Sequence, residues 1–204
     1  MIKTIIFDFG NIFINLDIEG FTKNAFKHLN IDEFSEEMIA FNSFYEQGLV
    51  STNEFLEFYT ENFPKLAEED LVDIWNFMLK DFPQNRLAFL KGLKNTSKYK
   101  LILLSNTNEL HINWIKEHVS FFEAFKSCFD AFYLSHEINL RKPNKDIFEF
   151  VLNKNTLKAD ECLFIDDNKD NIKTAEKLGL HVWNLNPETE DIITLFKTKK
   201  QLFD

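Results

Sequence analysis

The sequence predicts an α/β protein in which a doubly wound, open parallel sheet carries an inserted α-helical segment. From about residue 98 onward, short apolar runs alternate with segments whose apolar residues recur at helical spacing. This alternation is typical of a parallel sheet covered by helices on both faces. The first apolar run is different, because more than ninety residues of helical character separate it from the second run. These residues predict an insertion directly after the first strand.

Five segments are predicted to form the strands. Three of them are continuous apolar runs of four or five residues, which suits strands that are buried on both faces. Of the other two, one is rich in aromatic residues and one follows Gly179. In chain order the predicted strands are residues 4–7, 100–104, 131–134, 162–165 and 181–185.

Helices are predicted where apolar residues recur at helical spacing. Between the later strands these segments are residues 109–118, 146–152 and 171–178, the last of which stops at Gly179. In the long interval after the first strand they are residues 18–29, 36–44, 52–63, 68–80 and 86–93. Ser51 and Glu54 have the spacing of a capping box at the start of the third of these.

The chain length is compatible with one core and one insertion. A chain of 204 residues is too short for two large domains but long enough for a core of about 130 residues and a smaller added piece. We therefore expect an α/β core formed by residues 1–15 and 85–204 and a helical cap formed by residues 16–84.

Composition argues against several classes of function. The net charge of −10 disfavours a nucleic-acid partner, because an acidic surface repels phosphate backbones. Cys128 and Cys162 are too few for a disulfide framework, and neither has a metal-binding spacing to a histidine. His111 and His118 are predicted to be ordinary surface or helix-end residues. No run reaches the roughly 18 apolar residues of a membrane span, so we expect a soluble, cytoplasmic protein without a membrane partner, either a monomer or a weak homodimer.

Polar residues follow several of the predicted strands at the point where each strand ends. In an open parallel sheet, ligands bind beyond the carboxyl ends of the strands. We therefore expect one shared site formed by Asp8, by Ser105, Asn106 and Thr107, by Arg141 and Lys142, and by Asp166 and Asp167.

This set of side chains has a chemical logic. Asp8, Asp166 and Asp167 supply the hard oxygen ligands that Mg²⁺ prefers. A carboxylate can also attack phosphorus and form an aspartyl-phosphate. The charge of a transferring phosphoryl group must then be neutralised, which Mg²⁺, Lys142 and the groups at Ser105 and Asn106 can do.

The four segments resemble the motifs of the haloacid dehalogenase superfamily, and in particular its phosphatases with a small helical cap, such as bacterial α-glucose-1-phosphate phosphatase-like members. The motifs occur in the family's order as residues 7–12 (FDFGNI), 103–108 (LLSNTN), 141–143 (RKP) with 147–148 (IF), and 164–168 (FIDDN) with 171–172 (NI). The resemblance implies a Rossmann-like core and a cofactor, Mg²⁺.

The resemblance also implies roles for individual residues. Asp8 would be the nucleophile and a metal ligand, and the backbone carbonyl of Gly10 would be a second ligand. Asp167 would be the metal ligand of the fourth motif, with Asp166 beside it directly or through water. Ser105 and the Asn106 amide would hold the phosphate, and Lys142 would pair with both Asp8 and the phosphate.

One position departs from the family pattern. Most phosphatases of this family carry a second Asp two residues after the nucleophile, where it protonates the leaving group, but here that residue is Gly10. Such help is worth about 10²–10⁴-fold in rate. A good leaving group, such as the anomeric oxygen of a hexose 1-phosphate, would need less protonation. Alternatively Glu46, which is also a candidate for substrate binding, or Asp17 would supply the proton.

The preferred prediction is a magnesium-dependent phosphatase whose substrates are small phosphate esters. Two alternatives stay open. A 2-haloacid dehalogenase would also lack the second Asp, although displacing a halide needs no metal and leaves the pair Asp166 and Asp167 unexplained. The second alternative is a protein of this fold that binds a ligand or partner without turnover. Gly10 is its best support.

Overall fold

The computed structural model describes residues 1–203 and shows a five-stranded sheet whose strands are all parallel. The strand order is β3–β2–β1–β4–β5. The chain thus builds outward from β1 on one side and then on the other, which is the doubly wound arrangement. The predicted fold class is therefore confirmed. The strands are β1 (Thr4–Phe7), β2 (Lys100–Ser105), β3 (Ala131–Leu134), β4 (Cys162–Asp166) and β5 (His181–Asn184).

Helices occupy most of the remaining described chain. Four helices follow β1 in the predicted insertion: α1 (Ile18–Leu29), α2 (Glu36–Glu46), α3 (Thr52–Asn62) and α4 (Glu68–Asn76). The others are α5 (Gln84–Asn95), α6 (Glu109–His118), α7 (Phe122–Lys126), α8 (Ser135–Ile138), α9 (Lys145–Lys154), α10 (Lys169–Lys177) and α11 (Leu195–Thr198). Short 3₁₀ helices are Ala159–Glu161, Ile192–Thr194 and Lys200–Leu202.

The capping box predicted at α3 is present. The Ser51 side chain accepts a hydrogen bond from the Glu54 backbone N–H, and the Glu54 side chain accepts one from the Ser51 backbone N–H. The end of α4 was predicted wrongly, since the helix stops at Asn76 rather than at residue 80. The chain there leaves the helix because Leu79 pairs with Leu16 in an antiparallel bridge.

Two hydrophobic clusters cover the two faces of the sheet. Ile5 and Phe7 belong to one cluster and Ile6 to the other, because successive side chains of a strand point to opposite faces. Two-sided burial is the reason that the strands read as continuous apolar runs. The first cluster is rich in phenylalanine rings; Phe13 and Phe125, for example, meet edge to face with centroids 5.0 Å apart.

Helices α1 to α4 pack around a third hydrophobic cluster of their own. Phe55, Tyr59 and Leu71 are fully buried within it. The chain enters and leaves this helical unit side by side: the Asn15 N–H donates to the Asp81 carbonyl at 2.9 Å, and the Lys80 N–H donates to the Asn15 carbonyl at 3.0 Å. The two connections therefore form one paired crossing between the helices and the sheet.

Within residues 1–203, no helix has the length and apolar character needed to cross a bilayer. Cys128 and Cys162 are both buried free thiols.

Candidate active site

The sheet register brings Asp8 beside Asp166. Phe7 is aligned with Ile165 on the neighbouring strand β4, so the next residue of each chain segment lies at the same carboxyl edge. The Asp8 N–H donates to the Ile165 carbonyl at 2.9 Å and continues the ladder by one residue. Two carboxylates that are 158 residues apart in sequence are thus held together by strand pairing.

A buried ammonium group joins these two carboxylates. Lys142 Nζ lies 2.8 Å from Asp8 Oδ1 and 2.7 Å from Asp166 Oδ2. The Lys142 side chain is 1% exposed and that of Asp166 is 0% exposed. Buried charges of this kind need close partners, because desolvation of each ion costs several kcal/mol. Lys142 is therefore held by, and in turn neutralises, both carboxylates.

Asp166 is held on every side by donors. Besides Lys142, the Asn171 Nδ2 atom lies 3.0 Å from both of its carboxylate oxygens, and the Asn168 N–H donates to Oδ1 at 2.8 Å. Asn168 also caps α10. The structure thus gives Asp166 a fully partnered and fully buried position.

Asp167 is more open than Asp166. Its side chain accepts a hydrogen bond from Asn11 Nδ2 at 2.7 Å. Asn11 has a left-handed backbone (φ 55°), a conformation that Asn tolerates better than most residues, and its Oδ1 accepts from the Leu16 N–H at 3.0 Å. Asn11 therefore links the fourth-motif carboxylate to the start of the chain crossing.

The three carboxylates carry more negative charge than their protein partners neutralise. One oxygen from each of Asp8, Asp166 and Asp167 lies within 4.8 Å of the others, and Lys142 is the ammonium group that contacts two of them. Burial raises the pKa of Asp8 to about 7, and it also raises the pKa of Asp167 above its ordinary value. Burial opposes the charge of Lys142, but attraction to Asp166 and Asp8 outweighs it, so the Lys142 pKa is raised.

This donor set fits a divalent cation. Carboxylate oxygens are the ligands that Mg²⁺ prefers, and a cation would relieve the repulsion that a cluster of buried carboxylates otherwise suffers. The residues that could hold it are Asp8, Asp166 and Asp167. Gly10, whose carbonyl is the further predicted ligand, lines the adjoining cavity.

The segment after β2 is fixed to the segment that carries Lys142. Asn106 Oδ1 accepts from the Lys142 N–H at 2.9 Å, and Asn106 Nδ2 donates to the Lys142 carbonyl at 2.8 Å. Ser105 is buried, and its hydroxyl makes only a long contact of 3.3 Å with the Asn106 carbonyl. The Ser105 hydroxyl can therefore turn toward a ligand without breaking a short hydrogen bond.

The two predicted proton donors occupy different places. Glu46 lines the cavity but is paired with Arg141, whose Nη2 lies 2.7 Å from Oε2. Asp17 does not line the cavity; its carboxylate accepts from the Gly20 N–H at 2.8 Å as the N-cap of α1. The structure thus brings Glu46 toward the site and leaves Asp17 as a helix cap.

The position of the absent second aspartate is occupied by a neighbouring side chain. A Cβ atom added to Gly10 would lie 2.6 Å from Leu16 Cδ1. An acidic side chain at position 10 would therefore require Leu16 to move. Leu16 thus packs into the space that the second aspartate of the family motif would need.

A cavity of about 260 Å³ lies between the carboxyl edge of the sheet and helices α1, α2 and α4. Gly10, Ser105, Asn106 and Thr107 line it from the sheet side, and Glu46 lines it from α2. This volume is slightly below the range of about 300–1,000 Å³ that is usual for small-molecule sites. The cavity therefore suits a small ligand.

His111 lies in the first turn of α6, which agrees with the predicted helix-end role, but it is buried in the cavity wall and is not a surface residue. Its Nε2 lies 3.1 Å from the Trp75 carbonyl on α4, and its Nδ1 lies 3.3 Å from Asn108 Nδ2. Burial lowers the pKa of His111 to about 4. A neutral ring that donates from Nε2 and accepts at Nδ1 satisfies both contacts.

Several residues of this site were not predicted. Asn11 and Asn171 stand within the quoted motifs, so their adjacency to Gly10 and to Asp166–Asp167 was the available signal. Asn42, on α2, has no motif around it, and only the folded arrangement of the helices places it in the cavity lining.

Known proteins resemble this chain along nearly its whole length. A D-ribitol-5-phosphate phosphatase from Bacteroides thetaiotaomicron is 28% identical over 192 residues, which are 90% of this chain and 91% of that protein. A haloacid dehalogenase family enzyme from the same organism, solved in complex with magnesium and inorganic phosphate, has a TM-score of 0.84 and 33% identity, covering 96% of this chain and 100% of that one.

A further solved structure agrees with these. A haloacid dehalogenase-like family hydrolase from Porphyromonas gingivalis has a TM-score of 0.82 and 29% identity, covering 97% of this chain and 98% of that one. The sequence model of a hydrolase family, described as haloacid dehalogenase-like hydrolase, matches residues 2–179, which include all four motif segments. The resemblance inferred from the motifs is thus confirmed, and the chain belongs to the haloacid dehalogenase-like hydrolase family.

Proposed function

We propose that this protein is a magnesium-dependent phosphatase that hydrolyses small phosphorylated metabolites through an aspartyl-phosphate on Asp8. The observation that carries the proposal is the position of the Asp8 carboxylate: it contacts the buried Lys142 ammonium and belongs to the carboxylate cluster beside the cavity. That the protein is a hydrolase follows from its family, and phosphatase activity is the named activity of the relative from Bacteroides thetaiotaomicron.

The first step is an in-line attack of an Asp8 oxygen on phosphorus. The P–O bond to the alcohol breaks as the Asp8–P bond forms, and the leaving alkoxide takes up a proton from water. Lys142 offsets the negative charge on the phosphoryl oxygens and on the attacking carboxylate. We expect the Ser105 hydroxyl and the Asn106 N–H to bind the remaining phosphoryl oxygens.

In the second step, water attacks phosphorus, the Asp8–P bond breaks and inorganic phosphate leaves. Asp8 is regenerated as a carboxylate that is again paired with Lys142. Magnesium held by Asp8, Asp167 and the Gly10 carbonyl would supply the further positive charge that phosphoryl transfer needs.

The absence of an acid at position 10 indicates which phosphate esters are suitable substrates. Because position 10 carries no acid, an ester whose alcohol leaves easily, such as a hexose 1-phosphate, is one expected substrate. The relative named above is a phosphatase of ribitol 5-phosphate, which supports sugar-alcohol phosphates as a second expected class. Both are small phosphate esters of polyhydroxylated compounds.

We further propose that residues 16–84 act as a cap domain. Their helices have a separate hydrophobic cluster, and a paired crossing joins them to the sheet. A cap of this kind excludes bulk water and contributes residues that select the substrate. The cytoplasmic location and the monomer or weak homodimer stay predictions.

A substrate screen tests the proposal. The protein is assayed with Mg²⁺ against sugar phosphates, sugar-alcohol phosphates, nucleotides and small phosphate esters, beside Asp8→Asn and the exposed control Asp73→Asn. We expect phosphate release by the wild type and by Asp73→Asn only. Release that Asp8→Asn retains would contradict the mechanism, as would the absence of any hydrolysis, which would favour a binding protein.

The same screen separates the dehalogenase alternative. A 2-haloacid substrate is included, and each active reaction is repeated in excess EDTA. We expect no halide release and a loss of phosphate release in EDTA, because the metal neutralises charge on the phosphoryl group. Halide release that persists in EDTA would favour the dehalogenase.

A further inference from the structure

The cavity has one apolar wall and one polar wall. The apolar wall is formed by side chains of the first loop, α1 and the α4 end: Leu16, Ile18, Phe21, Trp75, Met78 and Leu79. The polar wall combines Thr107, on the sheet side, with Asn42 and Glu46 on α2. None of these three belongs to the cluster of Asp8, Lys142 and the fourth-motif carboxylates.

Thr107 offers a hydroxyl with unused hydrogen-bonding capacity. The residue is 7% exposed, and its hydroxyl has no hydrogen-bond partner among residues 1–203. Its backbone is fixed, since the Thr107 N–H donates to Ser135 Oγ at 2.9 Å. A hydroxyl that lines a cavity and has no partner in the protein is available to bind a ligand.

Asn42 and Glu46 offer complementary hydrogen-bonding capacity from α2, in the same polar wall. They are four residues apart on α2 and therefore lie on one face of the helix. Asn42 Oδ1 accepts from the Tyr59 hydroxyl at 2.8 Å, which leaves its NH₂ group as a donor without a partner in the described chain. Arg141 contacts Oε2 of Glu46 through both Nε and Nη2, which leaves Oε1 as an acceptor.

Hydrogen bonds fix the two parts of the polar wall, Thr107 and the end of α2, relative to each other. Ser135 Oγ, which accepts from Thr107, also lies 2.5 Å from the Glu46 carbonyl. Asn139 Nδ2 donates to the Gln47 carbonyl at 2.9 Å. The end of α2 is thus held against the segment after β3, so the polar groups are ordered before a ligand arrives, which reduces the entropy cost of binding.

We propose that Thr107, Asn42 and Glu46 form a subsite for the hydroxyl groups of a polyhydroxylated phosphate monoester, whose C–H groups contact the apolar wall. The inference rests on the proposed phosphatase function. A hydroxyl both donates and accepts, and the subsite supplies a donor amide, an acceptor carboxylate oxygen and a hydroxyl. An alkyl phosphate of equal length leaves these polar groups without a partner when it occupies the cavity, which a site of this kind penalises.

The test compares matched pairs of substrates. Sugar-alcohol phosphates of three to six carbons, D-ribitol 5-phosphate among them, are assayed with Mg²⁺ beside the n-alkyl phosphates of the same chain length. The readout is the ratio of kcat/KM within each pair. We expect the wild type to favour the hydroxylated member by at least about tenfold, the worth of one or two hydrogen bonds.

Two near-isosteric variants probe the subsite. Thr107→Val removes the hydroxyl, and Asn42→Asp keeps the acceptor for Tyr59 while replacing the donor. Each should lower the ratio by about tenfold. The exposed controls Thr189→Val and Asn53→Asp make the same chemical changes outside the cavity, and the ratio should stay at its wild-type value.

The outcomes separate the subsite from the proposed function. A wild-type ratio near one, or variants that slow both members of a pair equally, would overturn the subsite while Asp8-dependent hydrolysis continued. No Asp8-dependent hydrolysis of any pair would overturn the phosphatase proposal and the subsite with it. A ratio that falls in the cavity variants and not in the controls supports the subsite, because a merely structural defect would not distinguish the two substrates.

Discussion

Lys142 is the residue on which the charge balance of the site depends. It is almost completely buried between two carboxylates, at 2.8 Å from Asp8 and 2.7 Å from Asp166. Removing one partner of a buried ion pair strongly destabilises a protein, because the remaining charge is then buried without a counter-ion. Lys142 is therefore expected to matter for stability as well as for activity.

Lys142→Met should lower the free energy of unfolding by about 3–5 kcal/mol at pH 7. Two buried carboxylates lose their counter-ion in this variant, and Met replaces only the aliphatic volume. Urea unfolding in EDTA measures the change, with the exposed Lys169→Met as the control. Equal unfolding midpoints for Lys142→Met and the control would show that the pair does not stabilise the fold.

His111 predicts a pH dependence of stability. Burial lowers its pKa from 6.5 to about 4, so between these values the unfolded chain binds a proton that the folded chain does not. Stability from this residue is complete above about pH 6.5 and is lost as the pH falls toward 4. The loss is about 3 kcal/mol, at about 1.4 kcal/mol per pKa unit.

The comparison of wild type with His111→Gln isolates this contribution. Unfolding free energies are measured from pH 7 to pH 4, and the advantage of the wild type over the variant should shrink as the pH falls. Curves that stay parallel over this interval would contradict the assignment of a neutral, buried His111.

At the scale of elements, the contact between the end of α2 and the segment after β3 places the polar wall of the cavity. Gly48 lies in this contact with φ +65°, and a Cβ atom there would come within 2.0 Å of the His136 carbonyl oxygen. Only a residue without a side chain fits such a close approach of two backbones. Gly92, inside α5, has open space around its missing Cβ.

The same substitution should therefore have opposite effects at these two glycines. Gly48→Ala is expected to lower the free energy of unfolding by about 1–3 kcal/mol through left-handed strain and the displaced contact. Gly92→Ala is expected to raise it by about 0.5–1 kcal/mol, since Gly weakens a helix interior. Thermal unfolding of both variants measures this; a neutral Gly48→Ala would show that the contact is loose.

The elements were the most predictable part of this protein. Each strand was predicted to within a residue or two, because burial on both faces leaves an unbroken apolar run. The end of α4 was missed because residues 77–80 keep a helical pattern while their backbone pairs with residues 15–17. That pairing joins segments about sixty residues apart, and no local pattern encodes it.

The site residues at strand ends could be predicted from the sequence, and those placed by the packing of the inserted helices could not. Asp8, Asp166 and Asp167 end or follow strands, so the sheet alone brings them together. Asn42 reaches the cavity through the packing of α2 over the sheet edge, and His111, on α6, is buried through its contact with α4. Residue spacing specifies neither packing.

The molecule as a whole is acidic, with a net charge of −10, and three of its carboxylates meet a single ammonium group at the carboxyl edge of the sheet. A cation that binds there binds the folded chain and not the unfolded one. Such a ligand stabilises the fold by mass action, by about 2.7 kcal/mol at one hundred times its Kd.

Mg²⁺ should therefore raise the Tm of the wild type and have little effect on Asp167→Asn. Differential scanning calorimetry with MgCl₂, against NaCl of equal ionic strength, measures the shift. Asp73→Asn serves as the control, because it removes one exposed carboxylate from α4. A shift of equal size in Asp167→Asn would place the ion outside the cluster.

Asp8 is expected to become covalently phosphorylated during turnover. Because position 10 carries no carboxylate to activate water, the intermediate should persist long enough to be trapped. The decisive measurement is mass spectrometry of peptides after an acid quench of the enzyme turning over a substrate from the screen with Mg²⁺. We expect one phosphoryl group on the peptide that contains Asp8 and none in Asp8→Asn. Active enzyme whose Asp8 peptide is unmodified at every quench time, or a phosphoryl group on another residue, would rule out Asp8 as the nucleophile.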